Sequence, residues 1–316
     1  MKINTVSGPV ETSELGPALM HEHISCADWS MRMNFGARFF ELENIIETAT
    51  EMFAKMKREC GIMTVVDGTP INLGRDVRLA RETAERTGLN FVVSSGFYYQ
   101  EEPGLIYRPE DEIYDLLLYE CQNGIDGAGI LPGIMKAAVE NELTPYLRKI
   151  LSAVARVAAK TGLPVFCHHN PYRKSGGEII DIFESRGVAP HRIILGHSGD
   201  TDDLPYLLEM LGRGCYIGMD RFGYCSISLS LKRRCSAIAA LCEKGYGQRM
   251  FLSHDLAAYL ALFGNGPNDK NDGEGPPDFT FIHKTVLPEL LAAGVTQTEF
   301  DIMMEENPKR FFEGKE

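Results

Sequence analysis

Short apolar runs that end on a polar residue alternate with longer amphipathic stretches along most of the chain. The runs fall at about 17–23, 62–67, 91–96, 130–136, 163–168, 193–197, 215–220 and 250–255. Each is too short for a buried helix and reads as a strand covered on both faces. Between them, 40–60, 75–87, 109–122, 144–161, 178–186, 202–212 and 231–244 carry apolar residues at helical spacing, as Ile45, Ile46, Ala49, Met52, Phe53 and Met56 do. Helices at 281–293 and 297–304 are predicted to close the chain. The run at 130–136 is atypical because Pro132 cannot donate to a ladder. Residues 2–12, turning at Ser7-Gly8-Pro9, read as a small hairpin ahead of the main fold.

Eight strands alternating with helices predict a parallel sheet. With 316 residues, the expected architecture is an α/β fold, a (β/α)8 TIM barrel with a short N-terminal hairpin, forming one domain over 1–316. An open doubly wound sheet is the alternative, but no G-x-G-x-x-G follows the first strand. Barrel chemistry gathers at the carboxyl ends of the strands. The Gly-, Pro-, Asn- and Asp-rich segment 263–277 therefore reads either as an active-site loop or as a solvated insertion.

Composition narrows the function classes. A net charge of -12 repels phosphate backbones and anionic lipid, which argues against nucleic-acid and membrane-surface roles. No apolar run approaches the roughly 18 residues of a spanning helix, and Met1-Lys2-Ile3-Asn4 leads into polar residues instead of a signal-peptide core. A cytoplasmic protein is expected. The eight cysteines include no C-x-x-C, so reduced, mostly buried thiols without chemistry are expected.

Candidate chemistry sits where the apolar runs stop. In Ala18-Leu19-Met20-His21-Glu22-His23 the two histidines share a face of the strand and can grip one cation, or can simply form a polar strand end. Lys136, His168, His197, Asp220 and Asp255 end other runs, and barrel closure brings such ends together. Four histidines, an aspartate and a lysine form the ligand set of a binuclear hydrolase centre if the lysine is carboxylated. Two divalent ions then meet a carbamate, an aspartate and a hydroxide, which leaves a mildly cationic site. Burial near cations lowers a lysine pKa and frees the amine to react. Lys136 is otherwise a solvent-facing lysine or the Schiff-base lysine of a barrel aldolase.

Several ordered motifs together resemble the phosphotriesterase family of the amidohydrolase superfamily. They are Leu19-Met20-His21-Glu22-His23, Gly133-Ile134-Met135-Lys136, Gly162-Leu163-Pro164-Val165-Phe166-Cys167-His168, Gly196-His197-Ser198-Gly199-Asp200 and Ser253-His254-Asp255. The resemblance implies that His21, His23 and Asp255 hold the more buried of two divalent ions and that His168 and His197 hold the more exposed one. Lys136 becomes the carboxylated bridge. Zinc is the expected metal, with manganese, cobalt or iron as alternatives, and a homodimer is the expected assembly. His169 falls to a supporting or loop position, and His191, His254 and His283 have no motif support.

The same resemblance implies a mechanism in which two cations lower the pKa of a shared water, while Asp255 takes its proton and Asp200 supports the site. Asp220-Arg221-Phe222-Gly223 and Gly96-Phe97-Tyr98 resemble the lactonases of the family. Arg221 and Tyr98 are thus candidate catalytic residues; otherwise Arg221 pairs with Asp200 or Asp220 and Tyr98 lines a pocket. A lactonase with promiscuous phosphotriesterase activity is expected. Its substrate is an acyl-homoserine lactone, another lactone, an organophosphate, or a phosphorylated sugar lactone bound through Arg173 and Lys174. A barrel that binds without catalysis, or a Schiff-base aldolase, is the reading from another class.

Overall fold

The computed structural model describes residues 1–224, 229–262 and 278–315. Strands β1 (Lys2–Thr5) and β2 (Gly8–Glu11) form the expected antiparallel hairpin. The main sheet is built from β3 (Ala18–Cys26), β4 (Thr64–Asp67), β5 (Asn90–Gly96), β6 (Ile134–Val139), β7 (Val165–His169), β8 (Ile193–Gly196), β9 (Tyr216–Met219), β10 (Met250–Leu252) and β11 (Ala257–Leu260). All neighbours in it are parallel, in the order β10-β9-β8-β7-β6-β5-β4-β3-β11.

The last two strands explain how the sheet closes. β10 pairs with β9, and β11, five residues later in the chain, pairs with β3. They act as one eighth strand broken at 253–256. Across the break the Asp255 N–H donates to the His21 carbonyl at 3.3 Å and the His23 N–H donates to the Leu256 carbonyl at 2.8 Å. A (β/α)8 barrel results.

Helices cover the outside, and their ends follow local chemistry. Helix α1 (Trp29–Phe35) precedes α2 (Leu42–Cys60), α3 (Val77–Thr87), α4 (Glu110–Asn123) and α5 (Pro145–Thr161). At α5 the Thr144 hydroxyl accepts the Leu147 N–H at 3.2 Å, Pro145 opens the first turn, and Gly162 ends the helix in a left-handed conformation.

Two apolar layers hold the barrel. Met20, Val66, Val92, Ile134, Phe166, Ile194, Tyr216 and Phe251, one from each barrel strand, fill the interior. The outward residues of the same strands pack against the helices. The interior is a packed plug, so anything placed above it stands on a rigid floor.

Several boundaries differ from those expected. β6 starts at Ile134, not 130, and runs on to Val139, leaving Pro132 outside the ladder. β3 continues to Cys26, so the histidine pair lies inside a strand and not at its end. The final helix runs through a π-turn at Ile302–Glu306 and on to Glu313. Cys26, Cys60, Cys121, Cys167, Cys215, Cys235 and Cys242 are free thiols, five of them buried. The expected loop at 263–277 and Cys225 lie outside the described residues. Among the described residues no helix is long and apolar enough to cross a membrane.

Gly96 shows how tightly β5 and β6 approach. Its φ is +134°, and an added Cβ would lie 1.9 Å from the Lys136 carbonyl oxygen. Gly96→Ala should lower unfolding free energy by roughly 2–4 kcal/mol in urea melts. Gly104→Ala, where a Cβ meets open space, should change it by less than about 0.5 kcal/mol. Equal effects would contradict the close approach.

Candidate metal centre

A register shift in β3 aims the histidine pair. Pairing with β4 slips between Leu19 and Glu22, so the strand changes phase there. Met20 belongs to the interior plug, while Leu19 and Ile24 pack outward against the helices. His21 and His23 consequently face inward above the plug, and Glu22 faces out. Gly68 on the neighbouring segment gives His21 room, since a Cβ there would meet its ring at 2.5 Å. The other donors need no such device: Lys136 and His168 lie two residues beyond Ile134 and Phe166 on the same inward faces.

The six expected metal-site residues meet at the rim, all at most 9% exposed. His168 Nδ1 lies 2.7 Å from His197 Nε2. His21 Nε2 lies 2.9 Å from Lys136 Nζ and 3.4 Å from Asp255 Oδ1. His23 Nε2 lies 3.2 Å from the same Asp255 oxygen. The backbone turns left-handed at His197 (φ 65°) and at Asp255 (φ 58°), a conformation uncommon for such residues that clusters at functional positions.

Each imidazole has its outer nitrogen committed elsewhere. Asp220 accepts from His21 Nδ1 at 3.0 Å through Oδ2 and from His197 Nδ1 at 3.1 Å through Oδ1. Glu140 accepts from His168 Nε2 at 2.7 Å. Thr69 gives its hydroxyl proton to Asp67 at 2.5 Å, so its oxygen accepts from His23 Nδ1 at 2.8 Å. At His21, His168 and His197 these partners fix the tautomers by the logic of the network and turn lone pairs inward, while the inner nitrogen of His23 faces Asp255. His168 and His197 then present two lone pairs to each other at 2.7 Å, an arrangement that a cation between them satisfies. The donor set fits divalent metal.

Burial pushes the His21 pKa down to about 4, and it lowers those of His168 and His197 as well. Those rings are neutral, as ligation requires. At His23 burial is outweighed by the Cys26 thiol and the Asp255 carboxylate, which carry the ring up to about 10. A cation on Asp255 would cancel part of that pull. Burial lowers the Lys136 pKa to about 8, and its ammonium sits 4.1 Å over the Phe166 ring.

The remaining candidates are sorted by their contacts. Arg221 donates to Asp255 Oδ2 at 3.0 Å and to Asp200 Oδ2 at 2.9 Å, so its partners are Asp200 and Asp255, not Asp220. Asp200 also accepts from the buried Arg234 at 2.5 Å. Tyr98 lines the cavity above the centre and sets its ring edge-on to His168, 5.1 Å between centroids.

His169 turns away from the rim, between the Gly196 carbonyl and the Tyr206 hydroxyl. His254 bonds to Glu22 at 2.7 Å, His283 packs on Phe300, and His191 precedes β8 at the opposite end of the barrel. Arg173 reaches Asn141, and Lys174 pairs with Asp203 at 2.7 Å; neither lines the cavity.

Glu140 and Thr69 were missed from sequence. Glu140 directly follows the last residue of β6, so the strand-end rule finds it once that strand is ended correctly. Thr69 carries no sequence signal.

Comparison with known proteins agrees with this geometry. The chain is 33% identical over 323 residues to a phosphotriesterase homology protein of Mycobacterium tuberculosis, covering 99% of this chain and 98% of that one. It is 30% identical over 306 residues to an aryldialkylphosphatase of Saccharolobus solfataricus, covering 96% of each. It is 28% identical over 351 residues to an N-acetyltaurine hydrolase of Rattus norvegicus, covering 98% and 97%. Residues 1–312 match the phosphotriesterase family, and with inward-facing histidine and aspartate groups able to hold metal, this chain belongs to that family.

Proposed function

We propose that the protein is a binuclear metal-dependent lactonase, in which His21, His23, Lys136, His168, His197 and Asp255 hold two divalent ions and Lys136 is carboxylated. The observation that carries this reading is the set of ring nitrogens turned inward by Asp220, Glu140 and Thr69. Two such cations, when bound, would supply a water of lowered pKa and polarise the oxygen of the bond to be cleaved. Zinc suits imidazole and carboxylate donors of this kind.

The chain's own residues do the rest. Asp255 Oδ1 faces His21 and His23 while Oδ2 is held by Arg221. Oδ1 therefore accepts the proton lost by water and returns it to the alcohol oxygen released from the ring. The carboxylates of Asp255 and Asp200, working against burial, hold the Arg221 pKa far above its usual value. Arg221 keeps its proton and acts as a clamp, with Asp200 anchoring its far side. Burial likewise raises the Tyr98 pKa, so the phenol stays protonated and donates to the substrate oxygen.

The cavity supports a neutral substrate with an apolar substituent. It measures about 330 Å³, and Leu73, Tyr98, Tyr99, Ala257, Leu260 and Leu262 form much of its wall. Among the described residues Arg221 is the one guanidinium or ammonium there, and it is already committed to two carboxylates. A phosphorylated sugar lactone finds no free cation among them. Phosphotriester hydrolysis at the same site is the second reading, favoured by the likeness to an aryldialkylphosphatase.

In a pH-indicator screen, metal-replete protein should cleave neutral acyl lactones, and chelator should abolish the activity. Lys136→Ala and Asp255→Asn should each lower kcat at least about 100-fold; full activity in both would contradict the mechanism. Phosphorylated lactones should react with kcat/KM lower by about 100-fold; equal rates would contradict the neutral cavity.

Carboxylation adds a pH test. Below about 8 the Lys136 amine is protonated and cannot attack carbon dioxide; above it the amine is neutral. At fixed dissolved carbon dioxide, reactivation of apoprotein by zinc should rise about tenfold per unit as pH approaches 8 from below, then level off. A rate independent of pH, or of carbon dioxide, would contradict it.

A further inference from the structure

The break between β10 and β11 leaves Asp255 on a stretch without regular ladder pairing, in a left-handed conformation with φ 58°. One backbone bond, from its N–H to the His21 carbonyl at 3.3 Å, ties it to β3. On the outward side of β3, Glu22 is wholly buried, with both carboxylate oxygens aimed at the break. Oε1 accepts the His254 N–H at 2.8 Å, and Oε2 accepts the Leu256 N–H at 3.0 Å. The two bonds straddle Asp255 in sequence.

The His254 ring completes the arrangement. Its Nε2 accepts the Ile282 N–H at 3.2 Å, so its Nδ1 carries the proton and donates to Glu22 Oε1 at 2.7 Å. The carboxylate thus receives three hydrogen bonds, all from the residues flanking Asp255. Glu22 also sits between His21 and His23 in sequence, so one short segment of β3 supplies two inward donors and one outward clamp.

From this geometry we infer that Glu22 is a positioning residue for Asp255: beside the two backbone bonds that cross the break, its carboxylate fixes the left-handed turn that aims Asp255 into the site. This rests on the reading of Asp255 as a metal-site residue. The Glu22 side chain touches neither substrate nor metal, and all three of its hydrogen bonds run to the residues on either side of 255.

In Glu22→Gln one oxygen becomes an amide nitrogen, so at least one of the three donors loses its acceptor. Zinc affinity, measured by competition with a chromogenic chelator, should fall about 10–100-fold, and the visible spectrum of the cobalt-substituted protein should change. With a lactone substrate kcat should fall while KM stays within about threefold. If Glu22→Gln does not fold, Glu22→Asp, one methylene shorter, should show the same losses. Phe183→Leu, in the core between helix and sheet, destabilises without touching the site and should keep wild-type zinc affinity.

A folded Glu22 variant with unchanged zinc affinity and cobalt spectrum would overturn the inference. So would an equal affinity loss in Phe183→Leu, which would make the effect one of general stability. Wild-type protein that binds no zinc or cobalt would instead overturn the metal-centre reading on which the inference stands.

Discussion

The site depends on hydrogen bonds made behind the ligands. Four imidazoles crowd one rim, and what makes them a donor set is that Asp220, Glu140 and Thr69 engage their outer nitrogens. With those nitrogens occupied, the inner ones confront one another and the Asp255 carboxylate at 2.7–3.4 Å. Burying such groups costs several kcal/mol per charge unless each is compensated. Cations at the centre would supply the compensation, and the partners behind fix the ring orientations.

The barrel provides this order cheaply because one strand face serves two layers. Phe166 and His168 share a face of β7, as Ile134 and Lys136 share one of β6. The lower residue packs into the plug and the upper one carries chemistry. A side chain standing on packed neighbours has few rotamers left to lose on binding. The exceptions to regular strand geometry lie where the inward stripe alone would miss the centre: the slip in β3, the left-handed turn at His197, and the break that carries Asp255.

Much of the barrel was legible because its strands are covered on both faces and so read as continuous apolar runs. The rim cluster was legible because polar residues close the predicted apolar runs there, although His21, His23 and Lys136 lie inside β3 and β6 and not at their ends. What was not legible depended on departures from those rules. β11 follows a left-handed residue after a strand only three residues long, and nothing in Ala257–Leu260 announces a second piece of the same strand. Apolar Ile130-Leu131 drew the predicted start of β6 too early, and the predicted end at Lys136 hid Glu140, which follows the true end. The phase change in β3 is invisible in Leu19-Met20-His21, because an apolar run looks the same whichever face each residue takes. Thr69 gives its hydroxyl proton to nearby Asp67, and its contact with His23 is created only when β4 lies beside β3.

We propose that these donors hold a pair of divalent ions. Elemental analysis of metal-replete protein after exhaustive dialysis tests it most directly, alongside a His168→Ala, His197→Ala double variant. Two ions per chain in the wild type and one in the double variant are expected. No bound metal in the wild type, or two ions retained without both histidines, would contradict a binuclear centre at this rim.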